Sequence, residues 1–375
     1  MSKAAELAAL IGGQKALGHK NLVKNGAMVV AQRATSASGN TAGGIKTVDR
    51  MNPEISSAGT WTHSQSTEVP SGQGFVNSFK LDCTTADASL SAGDVCILGY
   101  RFEGLELQRL NYGTSGAKNI VLSFWVKTNK TGNYVVNFQN IVTGGTNRTC
   151  GKVYTVSQAN TWQKVEFPIA ADTVAGIDND NALTAIMYWW LASGTTYTSG
   201  TLSNTWENTT NANVAAGLNV NLADSTDNEW YITGIQLEEG DVATSFEHED
   251  FGTTLAKCQR YFTIEKAGTG GEYKRLALGQ CQGSTSAGFI MSLSTPLRGT
   301  PTLVTSGNSN HYQTYSAGAV DTLTGILLTS DSDAGTYNNH IAFNVTVSSG
   351  LVAGDGTELV TNNNASYYLA FDAEL

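Results

Sequence analysis

The chain has 375 residues, with 40 glycines, 14% charged residues and a formal net charge of −10 from 32 acidic and 22 basic side chains. This length allows two or three cores without disulfide or metal support, and the abundance of glycine, threonine, serine and asparagine favours short strands and tight turns over helical bundles. The acidic balance, with no local concentration of lysine or arginine, argues against a nucleic-acid partner and against binding to anionic lipid.

The first residues, MSKAAELAALIGGQKALG, predict a short helix within residues 1–20. A serine at the second position caps it, a glycine pair ends it, and Ala4, Leu7 and Ile11 form one narrow apolar stripe. An isolated helix of this length is marginal in water. It is therefore either a frayed terminus or an attachment helix that docks on a second copy of the chain or on a larger assembly.

Period-two alternation begins at Asn21 in NLVKNGAMVVAQRAT and predicts strands up to residue 250. In LSFWVKT, for example, Leu122, Phe124 and Val126 share one face. The runs YVVNF, WQKVEFPI, TAIMYWWLAS and EWYITGIQLEEG continue the pattern and together predict a β-sandwich. The polar stretch 195–219 is too long for a hairpin, so we expect it to project from one end as a large loop that carries Trp206.

Residues 251–375 predict a second β-rich domain, introduced by the segment LAKCQRYF. This segment has the spacing of one amphipathic helical turn, so we expect Leu255 and Cys258 to close the bottom of the second core while Tyr261 opens its first strand. Strand patterns follow in RYFTIEK, KRLALGQCQG, GFIMSLSTPL, PTLVTSG, GILLTS and HIAFNVTVSS. The final run, SYYLAFDAEL, also alternates, which predicts that the chain ends within a strand.

The five cysteines include no Cys-x-x-Cys pair, and Cys96 and Cys258 lie in apolar surroundings. We expect buried thiols in a reducing cytoplasm, with a Cys83–Cys96 disulfide as an alternative. The N-terminus lacks the pattern of a secretion signal, and no apolar run approaches the roughly 20 residues of a membrane span. We therefore expect synthesis in the cytoplasm without membrane insertion.

Several aromatic side chains are candidates for ligand binding. Trp189 and Trp190 are adjacent in a strand and point to opposite faces, so one of them lies on the outer surface or under a covering loop. For Trp125 and Trp206, too, the sequence leaves open whether the side chain is buried or exposed. An exposed indole stacks on a sugar ring or forms a subunit contact, and packing is the commoner role. In the second domain the polar loops add three more candidates, Tyr312, Tyr315 and Tyr337.

The sequence proposes no catalytic site. Its five histidines are scattered, and no Gly-x-Ser-x-Gly, Walker or His-Glu-x-x-His motif occurs. The acidic segment FEHEDF (246–251) has the composition of a metal or acid–base site, although a solvated linker explains it better. The acidic turns at Asp178 and Asp180 and at Asp224, Asp227 and Glu229 offer oxygen ligands for calcium but lack the full spacing of a helix-loop-helix calcium loop.

Taken in order, five segments resemble the distal parts of bacteriophage tail fibres and related virion fibre or decoration proteins. They are NLVKNGAMVVAQRAT, LSFWVKTNKTGNYVVNF, WQKVEFPIAADTVAGIDNDNALTAIMYWWLASG, EWYITGIQLEEGDVATSFEHEDFGTTLAKCQRYF and YYLAFDAEL. SFWVK and WYITGIQLEEG are also similar to carbohydrate-binding jelly-roll modules. The resemblance implies a galactose-binding-like jelly roll, a small β-sandwich head and a trimer. It also implies an acidic calcium ligand in the closing strand, where this chain has Gln236 and Leu237 before Glu238.

We therefore predict an all-β protein of two tandem β-sandwiches, a jelly roll (21–250) and a smaller head (251–375), after the attachment helix (1–20). The expected function is a non-enzymatic fibre or decoration subunit of a bacteriophage particle that contacts a cell-surface glycan. Its expected partners are itself, as a homotrimer, and other virion proteins through the N-terminal segment. The alternative is a carbohydrate-binding module of a polysaccharide-degrading system; a depolymerase would need a carboxylate pair at glycosidase spacing, which no feature proposes.

Overall fold

The computed structural model describes residues 20–266, 273–329 and 339–375. Within these ranges strands greatly outnumber helices, so the predicted all-β class is confirmed. The chain divides after Phe251 into two compact units, which we call the first and the second unit. The helix predicted within residues 1–20, with Ala4, Leu7 and Ile11, lies outside the described residues, as does Tyr337.

The strands of the first unit form one antiparallel sheet that curls back on itself. In order across the sheet the neighbours are β10-β7-β6-β9-β4-β2-β3-β11-β5-β8, with β1 paired to β2. Two short helices, α1 (Gly104–Leu107) and α2 (Thr195–Thr198), lie in its connections. The strands are β1 (Ser36–Ala42), β2 (Asn52–Ser66), β3 (Ser78–Thr85), β4 (Val95–Glu103), β5 (Ile120–Thr128), β6 (Gly132–Asn140), β7 (Arg148–Val156), β8 (Gln163–Ile169), β9 (Leu183–Ser193), β10 (Glu207–Asn208) and β11 (Glu229–Glu239).

The curled sheet encloses one apolar core, which makes the first unit a sandwich. Phe124 of β5 lies edge-on to Tyr154 of β7, at 5.3 Å between ring centroids, and to Trp189 of β9, at 5.8 Å. Strands from the two ends of the sheet therefore face each other as two layers. Alternating residues fill the space between them, as the period-two pattern of the sequence predicts.

The segment from Asn21 to Arg33 forms turns, so the strand that its pattern predicted was wrong. Asn25 and Met28 both adopt a φ of 59°, in the left-handed region that strands do not use. The Asn25 amide donates to the carbonyl oxygens of Val30 and Asp49, and its side-chain oxygen accepts from the Val30 N–H. Four apolar residues of the segment are buried in spite of this, because the turns fold them onto the core: Leu22, Val23, Met28 and Val30.

In the second unit, the predicted helical turn is α3 (Phe251–Gln259), in which Cys258 is buried and Leu255 partly buried. A three-stranded sheet has the order β12-β20-β15, and a closed barrel has the order β13-β14-β18-β17-β16-β19. Side chains from the barrel and from β20 share one core. The strands are β12 (Phe262–Lys266), β13 (Arg275–Cys281), β14 (Ser286–Ser292), β15 (Thr302–Thr305), β16 (Tyr312–Ser316), β17 (Ala319–Leu328), β18 (His340–Val347), β19 (Gly356–Thr361) and β20 (Tyr368–Asp372).

All five cysteines are buried free thiols, so the structure does not adopt the alternative Cys83–Cys96 disulfide. Burial raises the pKa of both Cys83 and Cys150 to about 11. These groups therefore remain protonated at neutral pH and act as small apolar side chains. Among the described residues, no helix is long and apolar enough to cross a bilayer.

Candidate functional site

The outer face of the layer formed by β2, β4, β9 and β6 carries a group of aromatic and polar side chains. On β9, Met187, Trp189 and Leu191 point into the core, so Tyr188 and Trp190 point outward. Strand pairing places Trp190 beside Ile97 of β4 and Val135 of β6, and places Tyr188 beside Gly99 and Asn137. Two outward rows of side chains thus cross the layer.

A long connection, residues 194–221, lies against this outer face, and we call it the covering segment. Val214 and Ala215 of this segment join Trp190, Ile97 and Val135 in a second apolar cluster. The prediction of a projecting loop was therefore wrong. The apolar residues within its polar sequence bury area against the sheet, and the hydrophobic effect favours that contact over projection into water.

Glycine in the sheet allows the covering segment to approach closely. An ideal Cβ atom at Gly151 of β7 would lie 2.4 Å from Cδ1 of Leu202, which is shorter than any real contact. The Gly151 N–H also donates to the carbonyl oxygen of Ser203 at 2.8 Å. The covering segment is consequently bound to the sheet through its backbone as well as through side-chain packing.

Between the sheet and the covering segment lies a cleft of about 220 Å³. Its aromatic surface consists of Tyr188, Trp190 and Tyr197, with ring centroids 6.1 Å apart for the first pair and 5.4 Å apart for the second. The remaining lining combines a few apolar side chains with carboxylate, amide and hydroxyl groups: Glu54, Val95, Ile97, Asn137, Gln139, Thr209, Asn211 and Val214.

Hydrogen bonds hold the polar groups of the cleft in place. The indole Nε1 of Trp190 donates to Oδ1 of Asn137 at 2.5 Å, and Nδ2 of Asn137 donates to Oγ1 of Thr149 at 3.0 Å. On the opposite side, Nε2 of Gln139 donates to Oγ1 of Thr209 at 3.4 Å. Because these bonds fix the indole and both amides, the cleft is largely preorganised for a ligand.

The hydroxyl group of Tyr188 remains protonated over the whole neutral range. Burial, and then the negative charge of Glu54, raise the pKa of Tyr188 to about 12, and Arg101 offsets part of the shift. The Tyr188 side chain is half-buried, and its hydroxyl group forms no hydrogen bond within the described chain. Its ring and its hydroxyl group are thus both available to a ligand in the cleft.

Of the predicted tryptophans, Trp190 lies in the cleft, whereas the others lie elsewhere. Trp189 is fully buried in the core of the sandwich, so its predicted role in ligand binding was wrong; the pleat points it inward. Trp206 lies edge-on to Tyr112 and Phe138, and its Nε1 donates to the carbonyl oxygen of Ala170 at 2.6 Å. It anchors the covering segment to the sandwich.

Trp125 lies on the outer face of the other layer, next to Thr233 of β11 and Lys164 of β8. It is half-buried and approaches Gly234, which has a φ of +64°. A Cβ atom at Gly234 would lie 3.1 Å from the Trp125 ring and 2.5 Å from the ring of Phe75. Trp125 therefore packs beside Phe75, away from the cleft.

The tyrosines predicted in the second unit do not form one site. Tyr312 is fully buried and its hydroxyl group donates to the carbonyl oxygen of Tyr368, so its predicted role in glycan binding was wrong. It begins β16 with its ring in the barrel core, an orientation that only the strand register determines. Tyr315 is 43% exposed on the same strand. Alanine at both positions would damage the core as well as any surface contact.

Sequence reasoning missed most of the cleft. The spacing of Tyr188 and Trp190, two residues apart in one strand, was a usable signal that they share a face. Tyr197 also follows closely in the sequence. Glu54, Asn137 and Gln139 come from other strands, and their sequence surroundings carry no signal that they meet at one place.

In the acidic turns that were candidate calcium sites, three carboxylates make contacts within the protein, those of Asp178, Asp224 and Glu229. Asp224 accepts hydrogen bonds from Lys130 and Asn228, and these contacts lower the pKa of its carboxyl group despite partial burial. Asp178 accepts from the hydroxyl group of Thr143, and Glu229 pairs with Lys80 at 2.8 Å. In the described ranges, no group of three or more histidine, cysteine, aspartate or glutamate residues is placed to hold a metal ion.

In the closing strand β11, the residues at the position of the calcium that the sequence resemblance implies bond with one another. Nε2 of Gln236 donates to Oε1 of Glu238 at 2.8 Å, and Thr244 donates to both oxygens of the same carboxylate. The ammonium group of Lys20 donates to Oγ1 of Thr244 and to the carbonyl oxygen of Ser245. An amide and an ammonium group therefore bond with the oxygens that a cation would need, so these residues do not fit calcium.

We expect neither EDTA nor added calcium chloride to change the thermal unfolding midpoint of the protein by more than about a degree. The reason is that Lys20 and Gln236 already donate hydrogen bonds to the oxygens of this region, so a divalent ion gains no stabilising affinity for the folded state. Calorimetry with and without each reagent measures this. A calcium-dependent rise in the midpoint that disappears in Glu238→Gln would contradict it.

No protein-family model matches this chain, and no curated protein matches it significantly. Solved structures that match parts of this chain include a phage tailspike domain and several carbohydrate-binding modules. The enzymatically active domain of bacteriophage CBA120 tailspike protein 4 has a TM-score of 0.32 and 11% identity over 59% of this chain. The match spans only 21% of that domain.

Two carbohydrate-binding modules illustrate the remaining matches. The xylan-binding CBM22-2 domain of Paenibacillus barcinonensis Xyn10C has a TM-score of 0.26 and 10% identity over 58% of this chain and 99% of its own. The family 11 module of Lic26A-Cel5E from Clostridium thermocellum has a TM-score of 0.27 and 13% identity over 63% and 99%. At such scores these similarities do not identify the function of the chain.

Proposed function

We propose that the first unit is a carbohydrate-binding domain and that the cleft beside Tyr188 and Trp190 is its binding site. The observation that carries the proposal is the juxtaposition, in one preorganised cleft, of the partly exposed rings of Tyr188 and Tyr197, supported by the buried ring of Trp190, with carboxylate, amide and hydroxyl groups. Aromatic rings stack on the apolar faces of sugars, and the polar groups bond with their hydroxyls. A volume of about 220 Å³ is below the roughly 300–1,000 Å³ of typical ligand pockets, which suits one end or a short piece of a glycan.

Tyr188→Ala tests the site, because this ring is half-buried and its removal leaves the apolar cluster around Trp190 in place. We expect about a tenfold loss of affinity for the bound glycan, since a stacked ring contributes roughly 0.5–1.5 kcal/mol and its hydroxyl group adds a hydrogen bond. The measurement is a glycan array followed by titration calorimetry on the best neutral or acidic hit.

The matched control is Tyr273→Ala, which removes a 63% exposed tyrosine of the second unit. It should leave affinity unchanged, and both variants should keep the thermal midpoint within a few degrees of the wild type. Glycan binding that survives in Tyr188→Ala at wild-type strength would move the site elsewhere. A folded wild-type protein that binds no glycan on the array would refute the proposed function.

For the biological setting we propose a fibre or decoration subunit of a bacteriophage particle, located in the virion. What supports this setting is the residue resemblance of the five segments that begin at Asn21. Under this proposal the subunit forms a homotrimer, attaches to other virion proteins through its N-terminal segment and presents the glycan site to the host surface. Density for whole particles tests the location in the virion, and sedimentation of the purified protein tests the homotrimer.

The alternative setting is a carbohydrate-binding module of a polysaccharide-degrading system. The cleft supports both settings equally, because it indicates which ligand the domain binds and not which assembly carries the domain. An experiment that follows labelled protein distinguishes the two settings. A fibre subunit is incorporated into particles, whereas a module of a degradative enzyme retains binding to insoluble polysaccharide and is absent from purified virions.

A further inference from the structure

One charged residue, Glu54 of β2, is present among the eleven described residues that line the cleft. Its Oε1 accepts hydrogen bonds from Nη2 of Arg101 at 2.9 Å and from Nδ2 of Asn52 at 3.4 Å. Oε2 forms no hydrogen bond in the described part of the chain, and the side chain is 28% exposed. The carboxylate of this lining residue is thus oriented through one oxygen, and the other has no hydrogen-bond partner within the described part of the chain.

The position of Glu54 places its carboxylate group beside the aromatic surface. An ideal Cβ atom at Gly99 would lie 3.3 Å from Oε1 of Glu54 and 3.4 Å from Cε1 of Tyr188. The carboxylate and the tyrosine ring therefore meet above the same glycine, where the sheet leaves room. A sugar ring stacked on Tyr188 brings its hydroxyl groups next to the carboxylate.

The electrostatic character of the cleft follows from the same residues. Its described lining contains neither lysine nor arginine, and the nearby Arg101 is engaged by Glu54. The net charge of −10 adds a repulsive long-range field for anions.

We propose that the cleft selects neutral sugars and excludes uronate- or sialate-containing ones, with Glu54 as the residue that determines this specificity. The inference rests on the proposed glycan-binding function and adds the class of ligand to it. A carboxylate accepts hydrogen bonds from sugar hydroxyls and strengthens them by its charge. A second carboxylate on the sugar would instead face Glu54, and Arg101, the cation beside the cleft, is already paired with Glu54; such repulsion is a source of specificity.

The experiment uses the full-length chain on an array of immobilised bacterial surface polysaccharides, half neutral and half uronate-containing, each acidic one also present after reduction of its carboxyl groups. Wild-type protein should bind neutral polysaccharides and carboxyl-reduced forms at least about tenfold more tightly than acidic ones. The difference should shrink as salt is raised, because repulsion between partly exposed charges is screened.

Glu54→Gln should change the neutral-to-acidic affinity ratio about tenfold, by weakening neutral binding and improving acidic binding. Glu166→Gln is the matched control, since Glu166 is also a strand glutamate paired with one basic residue but is exposed on β8. An unchanged ratio in Glu54→Gln, or acidic binding as strong as neutral binding in the wild type, overturns this inference and leaves glycan binding intact. Absence of binding to every polysaccharide refutes the proposed function itself.

Discussion

Arg148→Met is expected to lower the free energy of unfolding by about 3–5 kcal/mol, because it leaves a buried carboxylate without its cationic partner. Nε of Arg148 donates to both oxygens of Asp172, at 2.9 and 3.1 Å, and the Asp172 side chain is completely buried. The same carboxylate accepts from the N–H of Val174, which holds the loop that follows β8. Methionine retains the aliphatic bulk of arginine and removes only its charge and hydrogen bonds.

The substitution should also weaken glycan binding, although Arg148 does not line the cleft. Its guanidinium group donates to the carbonyl oxygen of Trp206 at 3.2 Å and to Oδ1 of Asn208 at 3.3 Å. Both residues precede Thr209 and Asn211 on the rim of the cleft. Loss of these bonds loosens the covering segment, so affinity should fall while the chemical preference for neutral or acidic sugars stays the same.

The control for this prediction is Lys164→Met, which removes an ion pair of the same 2.9 Å length. Lys164 and Glu166 are 40% and 53% exposed, so their pair should contribute only about 0–1 kcal/mol. Chemical denaturation of both variants measures the two free energies. Equal losses in the two variants would contradict the assignment of the large effect to burial.

The stability of the first unit should fall by about 3 kcal/mol as the pH is lowered from about 6.5 to about 4, because of one histidine. His63 of β2 is fully buried, and neither of its ring nitrogens has a hydrogen-bond partner in the described chain. Burial, and to a smaller extent the charge of Lys46, lower the pKa of His63 from 6.5 to about 4. Within this window the unfolded chain binds a proton that the folded chain does not, so stability rises with pH.

His63→Leu should remove most of this pH dependence between pH 4 and 6.5, because leucine has no titrating group and fills a similar volume beside Phe79. Asp224 and Glu229 have carboxyl groups with a lowered pKa and also contribute stability. This stability is lost as the pH falls from their ordinary pKa values, at the acid end of this window and beyond it. Urea denaturation of both proteins at several pH values separates the contributions. A wild-type slope that persists in His63→Leu would contradict the assignment.

The sequence by itself determined the all-β class and the positions of most strands. Alternation such as that of Leu122, Phe124 and Val126 depends only on residues two apart, and the pleat of a strand converts it directly into two faces. The helical turn at α3 and the burial of the cysteines followed from equally local patterns. The same rule required Trp189 and Trp190 to have different surroundings, and they do, in the core and under the covering segment.

Only the tertiary structure decided which residues form the cleft. Glu54, Ile97, Trp190 and Val135 lie in one row because β2, β4, β9 and β6 are neighbours in that order and register, although these strands are far apart in the sequence. The covering segment packs on the sheet because a few apolar residues in a polar stretch find an apolar surface there. The tertiary structure also decided that Tyr312 is buried and Tyr315 exposed. Pairing with distant strands, and not composition, selects which face of a strand meets the core.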